Sequence, residues 1–547
     1  MKKIFLETFG CQMNVLDSEL VQGQLRALGY GFTPDSDQAD VVLYNTCSVR
    51  QHSEDKILSR LGRMKIRKTS EPELVVGVLG CMAERDGMKM LKRMPQVDIL
   101  CGPGELDKLP MLIHNAFLTG KQQAALAGNT SRRSGTLQTA TDGLESLDLS
   151  RSFSPHENKY QAYVRVVRGC NKFCTYCVVP YTRGPEISRS PGAIIDESRR
   201  LVDAGAREIT LLGQTVNHYV YQHTESSTDG HPSGKTTFSE LLYNLHEAIP
   251  ELPRLRFLTS FPADFGDDIL QVMAACKRIC PYLHVPAQSG SNRILKLMNR
   301  GYTVEEYLSL IERARRIVPG IAIAGDFIVG FPTETETDYQ ATWDLMAKVR
   351  PKNCFIFKYS PRPGTIAIRR HTDDIPDSEK RRRNNDLLAL QNKIIHELNL
   401  EMLGTSVDIL CEGPSGWEKT KKNSIVYNES VGHGGGGEIE LGATLSRGLH
   451  ARADAEIFAS APDSSAPSFR DDQVQLTGRT TADQIVVFDG SSNMEGKIIK
   501  VRINEAHAMT LFAQAVEDFS TASASAASSR VLEMAAGQEN HFIHTIR

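Results

Sequence analysis

The chain has 547 residues, a formal net charge of −3 and 40% hydrophobic residues. That length exceeds what one hydrophobic core supports, so about two to four domains are expected. The near-neutral charge excludes a protein that is basic throughout, and no apolar run reaches the roughly 20 residues that cross a bilayer. The start, Met1-Lys2-Lys3-Ile4-Phe5-Leu6-Glu7, meets an acid after three apolar residues and does not read as a signal peptide. A cytoplasmic protein with no membrane association is therefore expected. In a reducing compartment its eleven cysteines are metal ligands or buried thiols rather than disulfides.

Residues 1–118 alternate short apolar runs with helix-length stretches, as βαβ units do. Strands are predicted at 4–8, 41–45, 74–79 and 97–100. Leu16, Leu20, Ala27 and Leu28 fall at near-helical spacing, with Asp17 placed to help start the helix. The block reads as a doubly wound α/β domain. Three of its strands end in Phe9-Gly10-Cys11, Asn45-Thr46-Cys47 and Leu79-Gly80-Cys81. Ligands of open α/β sheets bind outside the carboxyl ends of strands, so these thiols are expected to converge on one crevice and to hold an iron-sulfur cluster. The alternative is three buried small hydrophobes. Cys101 ends a fourth run in the same way.

Residues 119–155 lack apolar periodicity and read as a linker. From 156 to 390 a second βα series begins, with strands expected at 163–167, 208–213, 255–260, 283–287, 321–329 and 354–359. Six such strands fit a partial parallel (β/α)6 barrel whose chemistry lies at the carboxyl mouth. The first runs straight into Cys170-Asn171-Lys172-Phe173-Cys174-Thr175-Tyr176-Cys177, a C-x3-C-x2-C array. Three thiolates on one loop can hold three irons of a [4Fe-4S] cube and leave the fourth open. Zinc would want a fourth ligand or a histidine, and the loop has neither; chance clustering of buried thiols is the other alternative. Gln214, Asn217, Ser260, Gln288 and Asp326 stand at other strand ends and are expected to face the same mouth as cofactor contacts, or else to cap loops. Residues 222–235 read as a surface loop.

A helix is expected over 378–400. Residues 400–515 then become β-like, with strands at 407–410, 484–488 and 498–503 in a small barrel interrupted by a flexible insertion at about 423–474. The tail, 516–547, is rich in Ala and Ser. Two basic runs, Lys380-Arg381-Arg382-Arg383 and Lys419-Thr420-Lys421-Lys422, are candidate RNA contacts, although a solvated helix face explains either.

The array around Tyr176 resembles the signature of the radical S-adenosylmethionine (SAM) superfamily, in which SAM chelates the open iron and is cleaved to a deoxyadenosyl radical. Tyr176 stands where that superfamily keeps an aromatic beside the adenine. Within it, the chain resembles the radical SAM methylthiotransferases. The motifs are Thr8-Phe9-Gly10-Cys11-Gln12-Met13-Asn14, Asn45-Thr46-Cys47-Ser48-Val49-Arg50, the Cys170 array followed by Val179-Pro180-Tyr181-Thr182-Arg183-Gly184, Leu283-His284-Val285-Pro286-Ala287-Gln288-Ser289-Gly290-Ser291, and Asp326-Phe327-Ile328-Val329-Gly330-Phe331-Pro332.

The resemblance implies a methylthiotransferase domain, a radical SAM barrel and a TRAM RNA-binding domain. It implies two [4Fe-4S] clusters, a radical SAM cluster on Cys170, Cys174 and Cys177 and an auxiliary sulfur-carrying cluster on Cys11, Cys47 and Cys81, with two SAM used per turnover. Cys101 is then a spectator, because a fourth ligand would block sulfur transfer. Gln12-Met13-Asn14 and Tyr181-Thr182-Arg183 resemble the branch that converts N6-isopentenyladenosine (i6A) beside the tRNA anticodon to 2-methylthio-N6-isopentenyladenosine (ms2i6A). The alternatives are the branches acting on threonylcarbamoyladenosine in tRNA or on a ribosomal protein, and an iron-sulfur redox sensor that binds RNA. The expected partners are the tRNA anticodon stem-loop and a reducing donor such as a flavodoxin or ferredoxin, with the chain a monomer.

Overall fold

Short runs of Val, Ile and Leu, each closed by glycine or a polar residue, build the first sheet. Its six parallel strands lie in the order Gly31–Phe32, Lys3–Phe9, Val41–Thr46, Val75–Gly80, Ile99–Cys101 and Gln123–Ala125. This computed structural model describes residues 1–48, 51–127, 145, 147–148, 151, 153–155, 158–223, 234–416 and 473–516. Val41–Thr46 and Val75–Gly80 are buried on both faces, which is why they read as unbroken apolar runs. Leu16, Leu20, Val21 and Leu25 of helix Gln12–Ala27 cover one face, and Ile57, Leu61 and Met64 of helix Gln51–Ser70 the other. The chain winds outward in both directions from Lys3–Phe9 and Val41–Thr46, so a topological switch point lies between them.

Two local expectations are corrected. The strand Gln123–Ala125 falls inside the segment read as a linker and extends the sheet through Ile99–Cys101; three residues without a β-branched side chain leave little to read. Asp17 does not start the helix. Cys11 is the residue before its first turn, and Asp17 is fully buried further along.

Six parallel strands of the second unit form two three-stranded sheets, Gln161–Arg165, Glu208–Leu212 and Arg254–Leu258, then Tyr282–His284, Ala322–Val329 and Asn353–Lys358. The two sheets follow one another round a partial barrel, joined where Ser260 N–H donates to His284 O at 3.0 Å. Amphipathic helices sheathe the outside. Val304–Ile317 turns Tyr307, Leu310, Ile311 and Ala314 inward at i, i+3, i+4 and i+7 and is started by a Thr303/Glu306 capping box.

The helix Asp377–Leu400 leads to a closed five-stranded barrel of Ser406–Pro414, Gln473–Thr480, Ile485–Ser491, Leu511–Ala515 and Ile498–Ala506. Its core is Ile409, Cys411, Leu476, Val486, Phe488, Val501 and Ile503. The strand Gln473–Thr480 begins at the edge of the expected insertion; the rest of that insertion, the Lys419–Lys422 run and the tail beyond 516 lie outside the described residues.

The small barrel seats on the amino ends of the larger barrel's strands. Arg254 donates to Arg479 O at 2.6 Å and Asp408 O at 2.9 Å, Arg256 donates to Thr480 O and Thr481 O, and Gln161 donates to Glu412. Lys352 Nζ donates to Asp483 O. Among the described residues no helix is long and apolar enough to cross a membrane.

Candidate functional site

The strand Gln161–Arg165 delivers the Cys170 loop to the carboxyl end of the barrel. Gly169 turns the chain at φ +71°, and a Cβ there would lie 1.9 Å from Pro185 O, so only glycine fits. Cys170 N–H donates to Gly184 O at 3.1 Å and Thr175 N–H to Met298 O at 3.0 Å. Thr175 Oγ1 also donates to Leu297 O, and Asn299 Nδ2 to Phe173 O. The loop is thus held from both sides. Cys170 and Cys174 are buried and Cys177 is partly so. Burial pushes the Cys170 thiol up to about 11 and Cys177 well up, each raised further by the neighbouring Cys174. Occupancy by a metal therefore requires these protons to leave, as cluster ligation does.

A pocket opens beside the loop, lined by Cys170, Cys174, Tyr176, Gln214, Ser260 and Arg300. Three of the six residues expected to contact a cofactor, Tyr176, Gln214 and Ser260, line it. The Ser260 hydroxyl is buried and has no hydrogen-bond partner among the described residues, which suits it to a ligand. Asn217 does not line the pocket. Its amide donates to Phe261 O at 3.0 Å and accepts from Phe261 N–H at 2.8 Å, which fastens one mouth loop to another. Asp326 stands within the strand Ala322–Val329 rather than at its end, with its carboxylate 3.5 Å from His284 Nε2. Gln288 adopts φ +70°, and its N–H donates to Asp326 O at 2.8 Å.

In the first domain the loops bearing Cys11, Cys47 and Cys81 interlock. A Cβ on Gly10 would lie 2.6 Å from Cys47 Cβ, and one on Gly80 would lie 2.6 Å from Thr46 O. Asn14 Nδ2 donates to Asn45 Oδ1 and Thr46 O, and Thr46 Oγ1 donates to Leu79 O. A hydrogen bond from Cys47 pulls the Cys11 thiol down to about 6, whereas burial raises that of Cys81. Cys101 is set apart: its fully buried thiol donates to Glu105 O at 3.2 Å.

The two trios meet through the helix Val179–Thr182, which starts two residues after Cys177. The helix Cys81–Asp86 packs against it, and the Arg183 guanidinium acts electrostatically on both Cys11 and Cys81. Cys177 is five residues from Thr182, at most about 17 Å of fully extended chain and less when part of it is helical. Among the described residues no three ligands converge on a single metal ion. A cube does not ask for that, because each thiolate of a trio ligates a different iron. The donor set fits: three thiols without carboxylate or imidazole in each trio, Cys47, Cys81, Cys170 and Cys174 buried and Cys11 and Cys177 partly so, beside a guanidinium.

The residues that sequence reasoning missed are cations and their partners. Arg300 and Arg183 each approach thiols, and Arg362, from the loop after the last strand, pairs with Glu54 of the first domain at 2.7 Å. Arg183 lies in a motif already quoted, so the resemblance marked its neighbourhood. The Lys380–Arg383 run lies on the helix Asp377–Leu400, where Arg381 and Arg382 are exposed and Lys380 and Arg383 are buried. Lys380 pairs with Asp373, Arg381 with Asp377, Arg382 with Glu336 and Arg383 with Glu334, so each has an acidic partner.

Family models match residues 3–102 (Uncharacterized protein family UPF0004), 164–346 (Radical SAM superfamily) and 468–516 (TRAM domain). A tRNA-2-methylthio-N(6)-dimethylallyladenosine synthase of Rhodopirellula baltica is 40% identical over 93% of this chain and 95% of that protein. The synthase of the same name from Carboxydothermus hydrogenoformans is 37% identical over 92% and 97%, and that of Aquifex aeolicus 43% identical over 75% and 88%. With identity spread across all three units and their order preserved, the chain belongs to the tRNA-2-methylthio-N(6)-dimethylallyladenosine synthase family of radical SAM methylthiotransferases.

Proposed function

We propose that this chain methylthiolates C2 of N6-isopentenyladenosine beside the tRNA anticodon, giving ms2i6A, with residues 1–118, 156–390 and 400–515 dividing the work. The observation that supports the reading is the packing of the helix Cys81–Asp86 against the helix Val179–Thr182, with Arg183 paired to Asp17 at 2.8 Å, so that the elements bearing the two incompletely ligating thiol trios are neighbours. Cys170, Cys174 and Cys177 hold the cluster that cleaves SAM, and Cys11, Cys47 and Cys81 the one that supplies sulfur. An aromatic C–H offers no acidic proton to a general base, which is why a radical cofactor is needed and why the sulfur must wait within reach.

The protein's share is to bind, orient and exclude. Tyr176, Gln214 and Ser260 line the SAM pocket. Lys172 bridges to Asp264 at 2.7 Å, and Asp264 to His218 at 2.8 Å, a polar rim that ties the cysteine loop to its neighbours. The target base, splayed from a single-stranded loop, enters at the carboxyl mouth. The small barrel grips the RNA backbone: Lys500 and Arg502 point outward from alternate positions of Ile498–Ala506. The enzyme works as a cytoplasmic monomer with a flavodoxin or ferredoxin as electron donor.

Mass spectrometry of tRNA nucleosides tests the reading. Cells lacking the protein lose ms2i6A and accumulate i6A; unchanged ms2i6A removes the proposal and returns threonylcarbamoyladenosine or a ribosomal protein as substrate. Reconstituted protein that never cleaves SAM under dithionite points to the redox sensor.

A further inference from the structure

A guanidinium carries its charge at every physiological pH, and burying one without an anion costs several kcal/mol. Arg300 is 6% exposed. Its Nε donates to Tyr302 Oη at 3.0 Å, its Nη2 to Pro286 O at 3.2 Å, and its Nη1 to Cys174 Sγ at 3.3 Å. Its plane lies 4.6 Å over the Phe261 ring. The ionisable side chains acting most strongly on it are Tyr302, Tyr176 and Cys174, and among the described residues no carboxylate pairs with it within 4.0 Å. The other arginines buried to this degree each have one, as Arg165 has Asp17, Arg189 has Glu197, Arg256 has Glu208, Arg362 has Glu54 and Arg383 has Glu334.

Tyr302 is neutral at working pH, because burial raises its hydroxyl above the ordinary value. Among the described residues the anion placed to meet Arg300 is a thiolate of the Cys170 loop, from Cys174 Sγ at 3.3 Å. Net charge and hydrogen bonds to sulfur are also what set the reduction potential of an iron-sulfur cluster.

We propose that Arg300 is the built-in counter-ion of the Cys170, Cys174 and Cys177 thiolates and holds up the reduction potential of the cluster they carry. The inference rests on the cluster assignment made above. One-electron reduction adds a negative charge beside the guanidinium, so the cation favours the reduced form. Removing it moves the potential down. Lysine at the same place keeps the charge while losing the forked hydrogen bonds.

The test is anaerobic reconstitution of the full chain and of Arg300→Gln, Arg300→Lys and Tyr302→Phe. Iron is counted, and the midpoint potential is measured by spectroscopically monitored titration of the signal that changes when SAM is added. Arg300→Gln is expected to lower the reduced-to-oxidised ratio at a fixed potential at least tenfold, a shift of about 59 mV for a one-electron couple. Arg300→Lys is expected to shift by less than half as much, and Tyr302→Phe to leave the potential in place. Should Arg300→Gln fail to hold the SAM-sensitive cluster while Arg300→Lys and Tyr302→Phe retain it, the counter-ion role also stands. Full iron with an unmoved potential in Arg300→Gln overturns the proposal. So does equal loss in all three variants, since that marks a merely structural role. Unaltered protein that binds iron but shows no SAM-sensitive signal is a failure of the cluster assignment instead.

Discussion

Arg183, which follows the barrel's cysteine loop, donates to the carboxylate of Asp17 in the first domain at 2.8 Å, and Arg165 reaches the same carboxylate at 3.1 Å. This pair belongs to a buried network in which Asp17, Glu19, Glu145, Asp148 and Glu197 answer Arg151, Arg165, Arg168, Arg183 and Arg189. Five acids against five arginines balance the formal charge of this network. Breaking one member strands its partner, so Asp17→Asn is expected to lower stability by about 3–5 kcal/mol. Denaturant unfolding checks this, and Arg183→Met in the same background is expected to restore part of the loss.

Iron content separates the two trios. Two cubes give about eight irons per chain. Replacing Cys170, Cys174 and Cys177 with Ala, or Cys11, Cys47 and Cys81 with Ala, is expected to leave about half of that in either case. Cys101→Ala is expected to leave it unchanged, because that thiol is already committed to Glu105 O.

The free hydroxyl of Ser260 gives a variant that weakens a ligand without weakening the fold. Ser260→Ala removes no intramolecular hydrogen bond. SAM binding is expected to fall by roughly 0.5–1.5 kcal/mol, up to about tenfold, with an unchanged melting temperature. Equilibrium dialysis on reconstituted protein reads the first and calorimetry the second.

In the proposed reading the small barrel holds RNA through charge. Lys500→Glu with Arg502→Glu is expected to weaken tRNA binding and, on the single-strand value of about 0.7 per phosphate contact, to flatten the dependence of log affinity on log salt by roughly 1.4. Iron content and SAM cleavage are expected to hold. Filter binding at several salt concentrations measures it.

Docking of the small barrel carries a pH signature. Burial at the seam pushes Lys352 down to about 8 from its ordinary 10.5. Between those values the unfolded chain binds the extra proton and the folded chain does not, so this group's penalty is fully present below about 8 and fades as pH rises toward 10.5. Lys352→Met is expected to stabilise the protein at pH 7 and to remove that part of the gain between pH 8 and 10, measured by thermal unfolding across the range.

Much of this was legible in the primary structure because it is written in local patterns. The three cysteines of the Cys170 loop sit within eight residues, and the Val- and Ile-rich runs that end at Cys47 and Cys81 declare buried parallel strands. What escaped is pairwise and distant. Arg183 and Asp17 are separated by 166 positions and Arg362 and Glu54 by 308, and no periodicity links such partners. Asn217 looked like a ligand contact because a strand end places it near the mouth, yet its amide is spent on Phe261. The seat of the small barrel was equally hidden, since it depends on Arg254 and Arg256 finding carbonyl groups more than 150 positions away.

That seat puts the small barrel and the Cys170 loop at opposite ends of the larger barrel's strands. A five-residue strand such as Gln161–Arg165 is about 17 Å long, and the cysteine loop adds to that. An RNA held at one pole therefore presents its base at the other only if its stem bridges the interval. In the proposed reading the protein works as a caliper, rejecting hairpins of the wrong length before any chemistry begins.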